Sequence, residues 1–140
     1  MEQLSAADLR QVTEQLRLVY GVTDLDAFPA AAVAAVKELV SCDWAAYTEF
    51  QPEKPRVLTL TDPPEVFTPV LLPALEGRMH EHPVFVHYCQ TSDLTARKIS
   101  DFTSRADYHR LGLYQEFYKR TLTPVEDQMG FWLAFPNRTC

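Results

Sequence analysis

Hydrophobic residues recur at helical spacing near the start of the chain, which predicts a first helix with one apolar face. Ser5 and Asp8 form a capping-box motif at its beginning, and Gly21 marks its end. The apolar face consists of Leu9, Val12, Leu16 and Val19.

A second helix is predicted to begin at a capping residue between Thr23 and Asp26. Pro29 then falls in the first helical turn, where its missing N–H costs least. The alanines of this segment allow close approach of a neighbour, so we expect tight packing on a sheet or on a partner. Its buried stripe is predicted to be Phe28, Ala32, Ala35, Val36 and Leu39.

Alternating, aromatic-rich segments predict a hairpin after these helices, with strands at 44–50 and 56–61. Pro63 ends the second strand, because proline cannot extend a hydrogen-bonded ladder. A last strand is predicted over 127–135, where hydrophobic residues occupy both alternating sets, so that both faces should be covered.

Prolines and caps divide the intervening region into short helices. Thr68 is predicted to cap a helix in which Pro73 causes a kink or shifts the start. His82 precedes Pro83 and ends that helix, because a residue before proline is pushed out of helical geometry. Pro83 then opens a short helix that runs through Cys89.

Residues 91–97 are polar and are predicted to form a loop. Ser104 and Asp107 repeat the capping motif, and the helix that they open is predicted to end at Gly112. A further turn or short helix is expected over 113–118.

This order of elements predicts an α+β fold with an antiparallel sheet and helices on its faces. The length of 140 residues indicates one domain. Its helical part would span 5–40, and its sheet with the inserted helices 43–135.

The net charge of −6 argues against nucleic acid or an anionic membrane as a partner of this chain. The cysteines Cys42, Cys89 and Cys140 are odd in number and widely spaced, which favours a reducing compartment over a disulfide framework. The N-terminus lacks the apolar core of a signal peptide, and no apolar run is long enough to cross a bilayer. We therefore expect a cytoplasmic protein.

Three histidines and a cysteine within ten residues raise the alternative of a metal-dependent enzyme. The residues are His80, His82, His87 and Cys89. On a helix, side chains two positions apart point about 200° from each other, so His80 and His82 share a metal only in extended chain. The other interpretation is a helix end decorated with cations, which the helix dipole favours.

No catalytic signature is present: nucleophile elbow, phosphate loop, dinucleotide fingerprint and HExxH motif are all missing. Glu126 and Asp127 are adjacent carboxylates at a strand entry, where neighbouring side chains face opposite sides and do not form an acid/base pair. We expect no catalytic residue, no metal ligand and no cofactor.

Aromatic residues give the better indication of function, because they can line a concave pocket with a few polar tips. The alternative is that many of them form the core. The predicted pocket lies between sheet residues and helical aromatics, and its lining is Trp44, Tyr47, Tyr88, Tyr114, Phe117, Met129 and Trp132.

The chain also resembles a known family. The resemblance is carried by DWAAYTEF (43–50), MHEHPVFVHY (79–88), KISDFTSRADYHRLGLYQEFY (98–118) and VEDQMGFWLAF (125–135). These strings resemble the GAF-like N-terminal sensor region of bacterial LuxR-type helix-turn-helix transcriptional regulators, over nearly the whole chain.

The resemblance implies a GAF/PAS-like regulatory domain that binds a small molecule or mediates dimerisation as a homodimer. It implies further strands, a long helix and a DNA-binding module after Cys140, so the sheet would be truncated and DNA would be bound only through that missing module. A purely structural dimerisation module with a filled core is the alternative.

Overall fold

The computed structural model describes residues 3–50 and 57–133. The fold is α+β with small antiparallel sheets, as the order of elements predicts. The strands are Ala45–Phe50 (β1), Val57–Asp62 (β2), Arg97–Lys98 (β3) and Met129–Gly130 (β4). The α-helices are Ala6–Tyr20 (α1), Phe28–Leu39 (α2), Leu72–Arg78 (α3), Pro83–Gln90 (α4), Arg105–Arg110 (α5) and Gly112–Glu116 (α6).

The chain divides into two compact units. The first unit comprises Met1–Glu49 and Leu58–Val66, and the second comprises Phe50–Val57 and Phe67–Cys140. The organisation of residues 1–140 as a single GAF-like domain stays a prediction. No helix within the described ranges is long and apolar enough to span a bilayer.

The start of α1 confirms the predicted capping box. The Asp8 amide donates to the Ser5 hydroxyl at 3.1 Å, and the Ser5 amide donates to the Asp8 carboxylate at 2.8 Å. Gly21 follows the last residue of the helix, as predicted. The predicted apolar face is only partly covered: Val12 and Val19 are half-buried, whereas Leu9 and Leu16 remain exposed.

The cap predicted for α2 between Thr23 and Asp26 is wrong. The N-cap is Ala27, which has no side chain able to accept a hydrogen bond, and Pro29 lies in the first turn as expected. The Asp24 carboxylate instead accepts the Asp26 amide within the preceding turn. The helix buries Val33 and Ala35, while the predicted stripe residue Leu39 is exposed.

The strand pairing differs from the predicted single sheet. β1 and β2 form a two-stranded sheet, close to the predicted bounds, and β4 pairs antiparallel with β3 in a second one. β3 lies in a segment predicted as loop; its register pairs Arg97 with Gly130. The last strand is two residues long, and its predicted end at 134–135 lies outside the described residues.

The prediction that both faces of the last strand are covered is also wrong. Met129 has 52% of its surface exposed, and Phe131 and Leu133 are exposed as well. The residues between them, Gly130 and Trp132, are half-buried. Only one side of this segment therefore packs on the protein, and hydrophobic character alone did not distinguish the two sides.

Prolines set the helix boundaries of the second unit. Pro73 falls in the first turn of α3, so it shifts the helix start and the predicted Thr68 cap is wrong. His82 precedes Pro83 in extended backbone, as predicted, and it is also the N-cap of α4, a role that the sequence did not predict. α5 begins after Ser104, as the capping motif predicts.

The core of the second unit is centred on α5 and α6. Its most deeply buried large side chains are Tyr108, Phe117, Ile99 and Leu113. α5 ends at Arg110, close to the predicted Gly112. Gly112 itself begins α6, and no glycine among the described residues has a positive φ.

Candidate functional site

Four tyrosines of the second unit donate hydrogen bonds to one segment, Val125–Gly130, here called the strap. Tyr108 of α5 donates to the Val125 carbonyl at 3.1 Å. Tyr114 of α6 donates to the Glu126 carboxylate at 3.3 Å. Two consecutive strap residues are thus bound by two different helices.

The other two tyrosines bind the second half of the strap. Tyr118, in the 3₁₀ turn after α6, donates to the Gln128 side-chain oxygen at 2.6 Å. The Tyr88 hydroxyl of α4 lies 2.8 Å from the Gly130 carbonyl and 2.6 Å from the Thr95 carbonyl. Its single proton is shared between two carbonyls, which ties the strap to the loop before β3.

His82 extends this system into the core. Its Nδ1 accepts the Phe85 amide at 3.3 Å, which caps α4 and assigns the ring proton to Nε2. Nε2 then donates to the Tyr118 hydroxyl at 3.0 Å, and Tyr118 donates onward to Gln128. Burial lowers the pKa of His82 to about 4, so the imidazole is neutral at pH 7. Burial also raises the pKa of Tyr118.

The two strap carboxylates have different partners. Glu126 accepts from His109 at 2.8 Å and from Arg105 at 3.0 Å. The hydrogen bond from His109 is the largest of the effects that hold the pKa of Glu126 below its usual range. Asp127 accepts the Ser100 hydroxyl at 2.6 Å and the Ser100 amide at 3.2 Å.

A second carboxylate centre fixes the loop that leads into β3. Asp93 accepts from the Thr95 hydroxyl and amide at 2.7 and 2.9 Å. It also accepts from His87 at 2.9 Å and from Arg97 at 2.7 Å. These hydrogen bonds, led by that of the Thr95 hydroxyl, hold the pKa of Asp93 far below its usual range. The carboxylate therefore stays ionised and keeps β3 in place for pairing with the strap.

A third centre orders the helices beneath the strap. Arg78 donates to both carboxylate oxygens of Glu116, at 2.6 and 3.2 Å, and to Glu81 at 2.8 Å. The other oxygen of Glu81 accepts the Leu113 amide at 2.8 Å and so binds an otherwise unpaired N–H in the first turn of α6. Burial opposes ionisation of Glu81, but the Leu113 amide and Arg78 hold its pKa below the usual range.

Two of the predicted pocket residues contact each other at the end of the strap. The rings of Tyr88 and Trp132 lie 6.2 Å apart, and Trp132 also lies 6.0 Å from Phe85. Tyr88 is buried, whereas Trp132 and Phe85 are half-buried. Trp132 and Phe85 therefore leave one side of this aromatic group partly open to solvent.

The remaining predicted residues are divided between core, surface and the first unit. Tyr114 and Phe117 are buried, and their rings belong to a chain that runs through Tyr108 and Tyr118. Met129 is on β4 and half of its surface is exposed. Trp44 and Tyr47 lie in the first unit, where Tyr47 contacts Phe28 edge to face at 6.1 Å.

Sequence reasoning missed the polar part of this site. The predicted pocket lining does not include Tyr108, Tyr118 or His82, yet the two tyrosines donate hydrogen bonds to the strap and His82 contacts the Tyr118 hydroxyl. The available signal was a histidine immediately before a helix-opening proline, because an N-cap position needs an acceptor.

The proposed metal ligands serve other purposes. His82 caps α4, His87 binds Asp93, and His80 projects from the surface. Within residues 3–50 and 57–133, no three histidine, cysteine or acidic side chains come together as a metal-binding group.

No family model, curated protein or solved structure matches this chain. Function must therefore be inferred from the residues themselves.

Proposed function

We propose that this chain is the signal-sensing regulatory domain of a bacterial LuxR-type transcriptional regulator. It responds to a small molecule by changing the position of the strap, Val125–Gly130. The proposal combines the family resemblance of the sequence with one observation of the second unit, the convergence of four tyrosine hydroxyls on that segment.

The convergence supports a sensing role because it links the strap to the helices by few and specific bonds. Tyr88, Tyr108, Tyr114 and Tyr118 come from α4, α5, α6 and the turn after α6. A small shift of any of these elements misplaces a hydroxyl and changes the balance between two strap positions. A ligand that prefers one position shifts that balance by its difference in affinity.

The ligand would bind beside Trp132, on the half-buried group that it forms with Phe85 and Tyr88. Its chemistry would be that of a flat, largely apolar molecule, because aromatic faces offer stacking area and few polar groups. Since Tyr88 also holds the Gly130 carbonyl, occupancy at this group acts directly on the end of the strap.

Native mass spectrometry of the protein purified from its own source is the first test, with a retained small molecule as the expected result. The W44F variant makes Trp132 the single tryptophan, so that its fluorescence reports on the proposed site. A panel of aromatic metabolites should then contain a compound that changes this emission and raises Tm. The sensing proposal is overturned if no small molecule is retained and no compound of the panel changes the emission or Tm.

A structural dimerisation module is the second candidate. Two observations favour it: Phe117 is completely buried, and every buried tyrosine hydroxyl is hydrogen-bonded. Both are features of a filled core, which leaves less room for a ligand. Sedimentation analysis that finds a dimer whose stability does not depend on any panel compound would favour this candidate.

A further inference from the structure

The end of α1 and the turn that follows it carry two very exposed hydrophobic side chains. Tyr20 has 84% of its surface exposed and Leu25 has 85%, within six residues of each other. Single exposed apolar side chains are ordinary, but here two of them lie five positions apart at the connection between α1 and α2. We call Tyr20, Leu25 and the two aspartates beside Leu25 the turn patch.

Hydrogen bonds fix the backbone of this turn. The Gly21 amide donates to the Arg17 carbonyl at 3.0 Å at the end of α1. The Asp24 side chain accepts the Asp26 amide at 3.0 Å, and the Asp24 carbonyl accepts the Ala27 amide at 3.2 Å. Leu25 is therefore presented on an ordered backbone, which lowers the entropy lost when a partner binds.

Charge selects the kind of partner. Asp24 and Asp26 flank Leu25, both are exposed, and neither forms an ion pair with any residue in the described ranges. Residues 3–49 and 58–66 of the first unit hold nine acidic and three basic side chains. A second copy would bring the same negative charge to the turn patch, so self-association at this surface is disfavoured.

We propose that the turn patch is a docking surface for a cationic amphipathic helix of a partner protein. The apolar stripe of that helix packs against Tyr20 and Leu25, and its lysines or arginines lie opposite Asp24 and Asp26. Apolar anchors supply most of the affinity in such contacts, while the charges raise the association rate and select the partner.

Isothermal titration with a defined probe tests this proposal. The probe is a 14-residue helical peptide of leucine and lysine, and its counterpart replaces every lysine with glutamate. The lysine peptide should bind the wild-type chain, and Leu25→Ala should weaken binding at least tenfold. Asp24→Asn with Asp26→Asn should weaken binding at low salt and reduce its dependence on salt.

Val70→Ala is the matched control, because Val70 is 84% exposed and lies in the second unit. It should leave the affinity unchanged, and circular dichroism should show that all variants stay folded. Equal weakening by Val70→Ala and Leu25→Ala, or equal binding of the glutamate peptide, would overturn the proposal. So would a dimer of the free chain that Leu25→Ala dissociates, because the occupant would then be a second copy.

Discussion

Arg78 covers Gly112 so closely that a β-carbon at residue 112 would lie 2.7 Å from the guanidinium carbon. The guanidinium is also held, by two hydrogen bonds to Glu116 and one to Glu81. A side chain at residue 112 must therefore displace Arg78 from its carboxylate partners. Glycine permits this close approach of Arg78, and its backbone conformation is one that any residue adopts.

The substitution Gly112→Ala should have opposite effects in two backgrounds. With Arg78 present, it should lower the free energy of unfolding because the Arg78 hydrogen bonds are disturbed. In an Arg78→Ala background, it should raise that free energy by about 0.4–1 kcal/mol, because alanine has less conformational freedom than glycine in the unfolded chain. Urea unfolding of the wild type, the two single variants and the double variant gives the coupling free energy between residues 78 and 112. We expect this coupling to be between about 0.5 and 3 kcal/mol. Additive effects would show that the two residues do not interact.

The Tyr118 hydroxyl should contribute much more to stability than the Tyr114 hydroxyl. Tyr118→Phe leaves both His82 and Gln128 without their shared partner, at a cost of about 1–3 kcal/mol. Tyr114→Phe removes a longer hydrogen bond to Glu126, which keeps His109 and Arg105, so its cost should stay under about 0.5 kcal/mol. Urea unfolding compares the two variants directly. Equal losses would contradict the role assigned to Tyr118.

His82 should make the protein less stable in mild acid. Its pKa falls from an ordinary value near 6.5 to about 4 on folding, so the unfolded chain binds the proton first. The neutral His82 makes its full contribution to the free energy of unfolding above pH 6.5. This contribution, about 3 kcal/mol, is lost as the pH falls towards 4.

His82→Asn removes this titration and keeps an acceptor at the N-cap of α4. The slope of unfolding free energy against pH should therefore flatten between pH 6.5 and 4. His80→Asn, at a largely exposed position, is the control for the exchange of histidine for asparagine. A slope that persists in the His82 variant would assign the acid sensitivity to other groups.

Asp93→Asn should lower Tm at neutral pH and have little effect in strong acid. The folded pKa of Asp93 is depressed, so its stabilisation is present above the unfolded pKa near 3.9 and disappears as the pH falls through the folded value. The difference in Tm between wild type and variant should thus shrink below pH 4. Asp43→Asn, at an exposed position, should change Tm little at any pH. A constant difference for Asp93→Asn would indicate an effect unrelated to charge.

Local signals in the sequence predicted the starts of α1, α4 and α5. The capping box at Ser5 and the side-chain cap at Ser104 act over three residues, so local sequence is enough to determine them. Pro83 behaves as predicted for the same reason. The α2 start failed because Asp24, a good capping residue, is used within the preceding turn instead.

The site depends on contacts that no local pattern contains. Tyr88 and Gly130 are 42 residues apart, and Tyr108 and Val125 are 17 apart. β3 is only two residues long, too short to show alternation, and it exists because the strap lies beside it. The sequence points to the aromatic residues as a candidate site, but the hydrogen-bond partners of their hydroxyls are set by packing.

The tyrosine bonds to the strap also bear on the order of folding. Contacts within α5, α6 and the following turn join residues near in sequence, so they close small loops and form quickly. The strap can dock only after those elements have placed their hydroxyls, and the bond from Tyr88 to Gly130 closes the largest loop of the set. We therefore expect the amides of the strap to exchange with deuterium through a local opening, at lower free energy than the amides around Tyr108 and Phe117.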